Sequence, residues 1–399
     1  MLSDATLAYG EDLIRALLGV DALYVAEQTA PAAAHEALPD RLVVLNMSTS
    51  TMHTPEPFAN YPAAQARFAT LRRLAAALPE ADRRRYYDQC CASTLAFMHW
   101  RTVGLPLAEQ IGDFLHVPTA PASDAELDAL RSEMRAILTT LDYSGDLTAQ
   151  CRTWEERHRV PPDAVPAALD ALLSEAWDRT VQRMEIPAPK SDGMRVVMES
   201  GVPYNARCNY LGRVVHLNID PVLTLPGLKH LAVHECYPGH YVQFKLREAG
   251  YAAGTAAADG LLSVVNTVSS SPFEGIADNG MAVLDWLDSD DDRFSALMTR
   301  YRSGIGTGAA WRLHALGWPV EQVTEWLRGQ TLVGGEGWVA NRMRFIAAPQ
   351  RCALIWSYWW GEQSVAPVWE RVSPDRRPEF LRYLYGRMHS PQTVAMFSA

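Results

Sequence analysis

Lysine is nearly absent: Lys190, Lys229 and Lys245 are the only lysines among 36 basic residues, and arginine supplies the rest. Together with abundant alanine this reads as high-GC coding and says little about function. Positive charge is also short, with 46 acidic residues giving a formal net charge of -10. A nucleic-acid binder presents a basic face, so that class is disfavoured. Cysteine is sparse: Cys90, Cys91, Cys151, Cys208, Cys236 and Cys352 contain no C-x-x-C pair. That excludes a disulfide scaffold and offers no structural-zinc spacing. Long apolar runs are missing too. The most apolar stretch, near Cys352 to Trp360, falls far short of the roughly 20 residues that span a bilayer. Met1-Leu2-Ser3-Asp4 begins no basic-then-apolar leader. The expectation is a cytoplasmic protein with neither nucleic acid nor membrane as partner.

What is there is ordinary globular material. The 399 residues are 48% hydrophobic and 21% charged, which excludes wholesale disorder and suffices for one helical domain or two halves around a cleft. Apolar spacing predicts helices over Ala64 to Leu78, Asp124 to Leu141 and Pro162 to Met184. Asp124 is the expected N-cap of the second, and Pro161-Pro162 fits the start of the third. Short strands are expected at Arg41 to Asn46, Met194 to Met198 and Arg213 to Ile219. The character changes at Ile186-Pro187-Ala188-Pro189. We therefore divide the chain into 1–185, a helical half forming a cleft wall, and 186–399, the half that carries chemistry. Leu228 to Ala249 reads as helix, with Gly250 as its C-cap. The expected fold is mainly α, with one small sheet beside a central helix.

The informative stretch is Leu231 to Gln243, LAVHECYPGHYVQ. In the common zinc-hydrolase helix, H-E-x-x-H, two histidines share one face at i and i+4. Here His234 and His240 are six apart, a rotation of about 240° and a rise of about 9 Å on a straight helix. Two such imidazoles could not reach one metal at about 2 Å. Pro238 and Gly239 lie between them. Proline removes the amide that would return to the carbonyl of His234, and glycine permits unusual backbone angles. A widened turn or break there would swing His240 back toward His234. His35-Glu36 is a control: no second histidine follows, and it reads as a surface or loop pair.

This stretch resembles the DUF885 family of predicted zinc peptidases, whose pattern is approximately H-E-G-Y-P-G-H-H. Cys236 stands for the first glycine and Tyr241 for the last histidine, while Tyr237, Pro238, Gly239 and Gln243 match. Pro272-Phe273-Glu274-Gly275 looks like the family's F-x-E-G-W-A-L-Y-A-E segment. The pairs Leu313-His314, Arg344-Phe345 and Ser357-Tyr358, and Pro349, fall in the family's order; Val215 to Asn218 is similar to the strand before its metal helix. The likeness covers roughly residues 200 to 390. It implies a zincin-like helical metallopeptidase scaffold in which His234, His240 and Glu274 hold one divalent ion. Zinc is the expected ion, with iron(II) or manganese as substitutes. The chain departs from the pattern at Asn279 and Met281, where the family has tyrosine and a second glutamate. Gly304 to Ala310 is glycine- and alanine-rich where arginine and aspartate are expected. The metal site is kept and the substrate site rebuilt.

In that reading zinc lowers the pKa of a bound water, and Glu235, beside a ligand, takes the water's proton. A polarised carbonyl also needs donors for its developing oxyanion. Tyr358 is the first candidate, then His314 and Arg344, each with an equally good structural reading. His230 and His389 read as structural, and His216 as lining the cleft. The crowd of Trp356, Tyr358, Trp359 and Trp360 reads as core or pocket wall. Gly304-x-Gly306-x-Gly308 lacks phosphate-loop spacing, and Asp288 to Asp292 reads as a solvated turn. The expected activity is metal-dependent hydrolysis of an amide or peptide-like bond in a small substrate. Two alternatives share the ligands: a 2-His-1-carboxylate enzyme using iron(II) and dioxygen, and a non-catalytic ligand-binding relative.

Overall fold

Helix starts in this chain are written by short polar side chains. Ser3, Asn60, Asp146, Thr224 and Ser289 each precede a helix and accept a hydrogen bond from an amide in its first turn. Ser123 does so for the helix Asp124–Thr140 and forms a capping box with Glu126. The cap is therefore Ser123 rather than Asp124, which lies in the first turn, where negative charge suits the helix dipole. Likewise Pro161 to Ala164 form a turn, closed by the Ala164 amide on the Pro161 carbonyl at 2.9 Å, and the next helix is Val165–Met184.

The computed structural model describes residues 2–28, 41–49, 51–184, 186 and 193–398. His35-Glu36 and Pro187 to Pro189 lie outside the described residues. The chain is mainly helical, as the spacing predicts, but the strands form two small sheets rather than one. Strand β1 (Val43–Asn46) pairs antiparallel with β5 (Leu262–Val264). Strands β2 (Arg195–Glu199), β3 (Ala206–Asn209) and β4 (Val214–Asn218) form the other, in the order β2-β4-β3. β4 is parallel to β2 and antiparallel to β3. Strands β3 and β5, of four and three residues, were not among those expected from the sequence.

Packing groups the chain into two units that do not follow a single cut near residue 186. The first comprises Met1–Thr119, Val242–Ile276 and Trp360–Ala399; the second comprises Ala120–Tyr241 and Ala277–Trp359. In the first, Phe97, Trp100 and Phe114 form an aromatic cluster, and Gly275 meets Gly361 so closely that a Cβ on Gly275 would lie 2.0 Å from the Gly361 carbonyl oxygen. In the second, Trp154 packs on Phe294 and Trp177 on Tyr237. Trp356 and Trp359 are buried, so this part of the aromatic crowd is core. Gly304 sits inside the helix Asp290–His314, where a Cβ would meet Leu127 at 2.8 Å. Its role is close helix packing. Asp288 to Asp292 is not a solvated turn. Ser289 caps that same helix, and buried Asp292 accepts from Lys229 Nζ at 2.8 Å. Burying the lysine ammonium requires this partner.

Candidate metal centre

The helix Leu225–Glu235 has Pro226 in its first turn and breaks immediately after Glu235. Cys236 leaves the helical region, and the Tyr237–Pro238 peptide is cis. The amides of Cys236 and Tyr237 both donate to the Ala232 carbonyl at 3.2 Å, and Gly239 donates to Val233 at 2.9 Å. These bonds draw the chain back over the end of its own helix. Only glycine fits at the tightest point: a Cβ on Gly239 would lie 1.7 Å from the His234 carbonyl oxygen. The next helix, His240–Ala252, starts at once. It runs through Gly250, so Gly250 is not the C-cap; the left-handed glycine beyond the helix is Gly254, at φ +69°. The imidazoles of His234 and His240 consequently lie 4.6 Å apart, nearly perpendicular at 82°.

The helix Ser270–Asp278 supplies the carboxylates. Glu274 and Asp278 are one turn apart and share a face. Asp278 Oδ1 lies 2.8 Å from His234 Nδ1 and 3.6 Å from His230 Nε2. A carboxylate only accepts, so Nδ1 of His234 donates and its Nε2 carries the lone pair. One ligand atom each from His234, His240 and Glu274 falls within 4.8 Å of the others, and all three residues are buried. Two imidazoles and a carboxylate at this spread are a donor set suited to a zinc-like ion at about 2.0–2.2 Å, after small side-chain adjustments. One ligand atom each from His230, His234 and Asp278 likewise lies within 4.8 Å of the others. Burial would push the Asp278 carboxyl up, but His234 and His230 hold it well below the usual carboxylate range. It is the anionic anchor of the histidine pair.

Glu235, next along the chain, is buried rather than solvated. Burial first, then the Glu235 carboxylate, push the Cys208 thiol well above its usual range; burial, Cys208 and Glu235 do the same to Cys236. Neither cysteine is a thiolate nucleophile.

The remaining candidates do other work. His314 ends the helix Asp290–His314, and its Nε2 donates to the Ile346 carbonyl at 2.6 Å. Arg344 Nη1 donates to the Val202 carbonyl at 3.2 Å. These bonds tie both side chains to backbone carbonyls. The Tyr358 ring stands edge-on to Phe345, with centroids 6.1 Å apart. His216, on β4, bonds Glu199 through Nδ1 at 2.7 Å, and Glu199 also accepts from Tyr204. His389 is buried, with Nε2 donating to the Tyr383 carbonyl at 2.9 Å.

Two residues escaped the sequence reading: Asp278, and His230 as its partner. The signal was present as two i, i+4 pairs, His230 with His234 and Glu274 with Asp278. A lone aspartate near a helix end is common enough to pass unnoticed.

No protein-family model and no curated protein matches the chain. Among solved structures it is similar to "the putative lipoprotein from Colwellia psychrerythraea", at 17% identity and a TM-score of 0.56. That likeness covers 84% of this chain but 59% of the other, so the chain spans less than two thirds of that protein's length. A second, described as a "putative lipoprotein of unknown function from Shewanella oneidensis", aligns at 13% identity and a TM-score of 0.49, covering 84% of this chain and 70% of that one. At these identities the first likeness bears on fold alone. Among the described residues no helix is long and apolar enough to cross a membrane.

Proposed function

We propose that the protein is a metal-dependent hydrolase, a divergent relative of the DUF885 proteins on a zincin-like scaffold, acting on an amide or peptide-like bond in a small substrate. The observation that carries this reading is the ligand set His234, His240 and Glu274 beside a buried glutamate, Glu235. His234, His240 and Glu274 would hold the ion. A bound zinc ion supplies Lewis acidity and a water acidified toward neutral pH. Asp278 orients His234 through Nδ1 and concentrates negative charge behind it. Glu235 accepts the proton released by water and returns it to the leaving amine. Burial of the site excludes bulk water, which strengthens each of these polar interactions.

Metal analysis and a panel of short N-blocked peptides test the reading. One zinc ion per chain is expected. Glu235→Gln keeps the metal and lowers turnover by about 100-fold or more, in line with the loss of a general base. Active protein without stoichiometric metal, or unchanged turnover in Glu235→Gln, overturns it. Turnover that requires iron(II) and oxygen assigns the ligands to oxygen chemistry instead.

A further inference from the structure

Arginine is almost never fully buried without a partner, yet the first unit buries two beside one cavity. Arg83, in the helix Ala81–Thr102, is 1% exposed, and Arg247, in the helix His240–Ala252, is 2% exposed. Both line a cavity shared with Arg387, Tyr87 and Asp259, with room inside for about one water-sized particle.

The polar groups around it do not balance. Arg83 Nε and Arg387 Nη1 share one acceptor, Asp82 Oδ2, at 3.2 and 3.0 Å. Arg247 Nη2 donates to Gln243 at 3.0 Å. Asp259 Oδ1 is engaged by the Tyr87 hydroxyl at 2.9 Å, and burial pushes the Asp259 carboxyl up against the opposing charges of Arg83 and Arg247. Arg83 Nη2, Arg247 Nε, Arg247 Nη1 and Arg387 Nε remain buried without a hydrogen-bond partner among the described residues. Three guanidinium groups thus share two carboxylates, and the residues that carry these unpartnered N–H groups all line one narrow cavity. A buried, uncompensated cation is strongly unfavourable, and an anion at this point would relieve it.

We propose that this cavity binds a small monovalent anion of halide size, gripped by Arg83 and Arg247, with the partly exposed Arg387 as third donor. The charge imbalance sets the valence and the narrow space sets the size. The site stands independently of the metal reading. It does touch the same architecture: Gln243, which accepts from Arg247, donates to the Phe273 carbonyl at 3.0 Å, directly before Glu274. An anion here braces the helix start that presents Glu274.

The test uses the full chain with chloride against gluconate at equal ionic strength, gluconate being too large to enter. Saturating chloride raises Tm by about 3 °C over gluconate, as expected for one ligand at about 100 times its Kd on a chain of this length. Arg247→Met abolishes the difference. Arg387→Met, at a partly exposed position, reduces it. Formate, slightly larger, gives a smaller rise. Crystals soaked in bromide show an anomalous peak within hydrogen-bonding distance of Arg247. Equal Tm in chloride and gluconate, a chloride response unchanged in Arg387→Met, or a cavity without bromide each overturns the proposal.

Discussion

In the proposed metal centre a histidine ligates only if its ring is turned correctly, and at His234 the Asp278 carboxylate holds Nδ1 at 2.8 Å. The carboxylate fixes the tautomer, and its charge makes the other nitrogen a better donor. Asp278→Asn keeps the shape while removing the charge. Zinc affinity, measured by competition with a chromophoric chelator, is expected to fall about 10–100-fold. An affinity within twofold of the parent would assign Asp278 to packing alone. His234, Glu235 and His240 were legible because a histidine-glutamate pair, a proline-glycine break and a second histidine form an uncommon sequence. Asp278 was not legible, because its meaning depends on His234, 44 residues away in the chain. His314 and Arg344 are a different case. Order along the chain suggested a role, and each side chain bonds a backbone carbonyl, His314 that of Ile346 and Arg344 that of Val202.

Among elements, helices were read well where an apolar stripe was regular, and misread at their ends. Ser123 took the cap expected of Asp124 because a hydroxyl and a glutamate three residues on satisfy two amides at once. Close approaches between elements were invisible, since a glycine written in sequence does not say what will press on it. Gly275 and Gly361 are such a pair: a Cβ on Gly361 would lie 2.9 Å from the Gly275 amide nitrogen, and the reverse contact is tighter. Backbone cannot turn aside as a long side chain can. Gly275→Ala is therefore expected to destabilise the protein by about 1–3 kcal/mol, the usual cost of overpacking. Urea denaturation measures it. Because Gly275 follows Glu274, the same variant should also weaken zinc binding. A stable variant with normal zinc affinity would mean that the helices separate without strain.

For the whole molecule, composition and periodicity gave the mainly helical class, while the division into units was hidden. Each unit is assembled from separated stretches of chain, and only packing reveals which stretches belong together. The response of the fold to acid is a further property no periodicity displays. His389 is buried, its Nδ1 lies 3.3 Å from Thr393 Oγ1, and burial, then the charge of Arg83, hold its pKa well below the usual 6.5. In the unfolded chain the same imidazole takes up a proton near 6.5; in the folded chain it does not. Below that pH the unfolded state binds more protons, so stability is fully present above about 6.5 and lost as pH falls toward the depressed folded value. One such group contributes a slope of at most about 1.4 kcal/mol per pH unit. His389→Gln should remove that slope between pH 6.5 and 5.5 while leaving the part due to carboxylates, which titrate lower. Urea denaturation of both proteins across this interval isolates the difference. Parallel curves would show that His389 gains its proton without unfolding the helices around it, and that the acid response lies with the carboxylates instead.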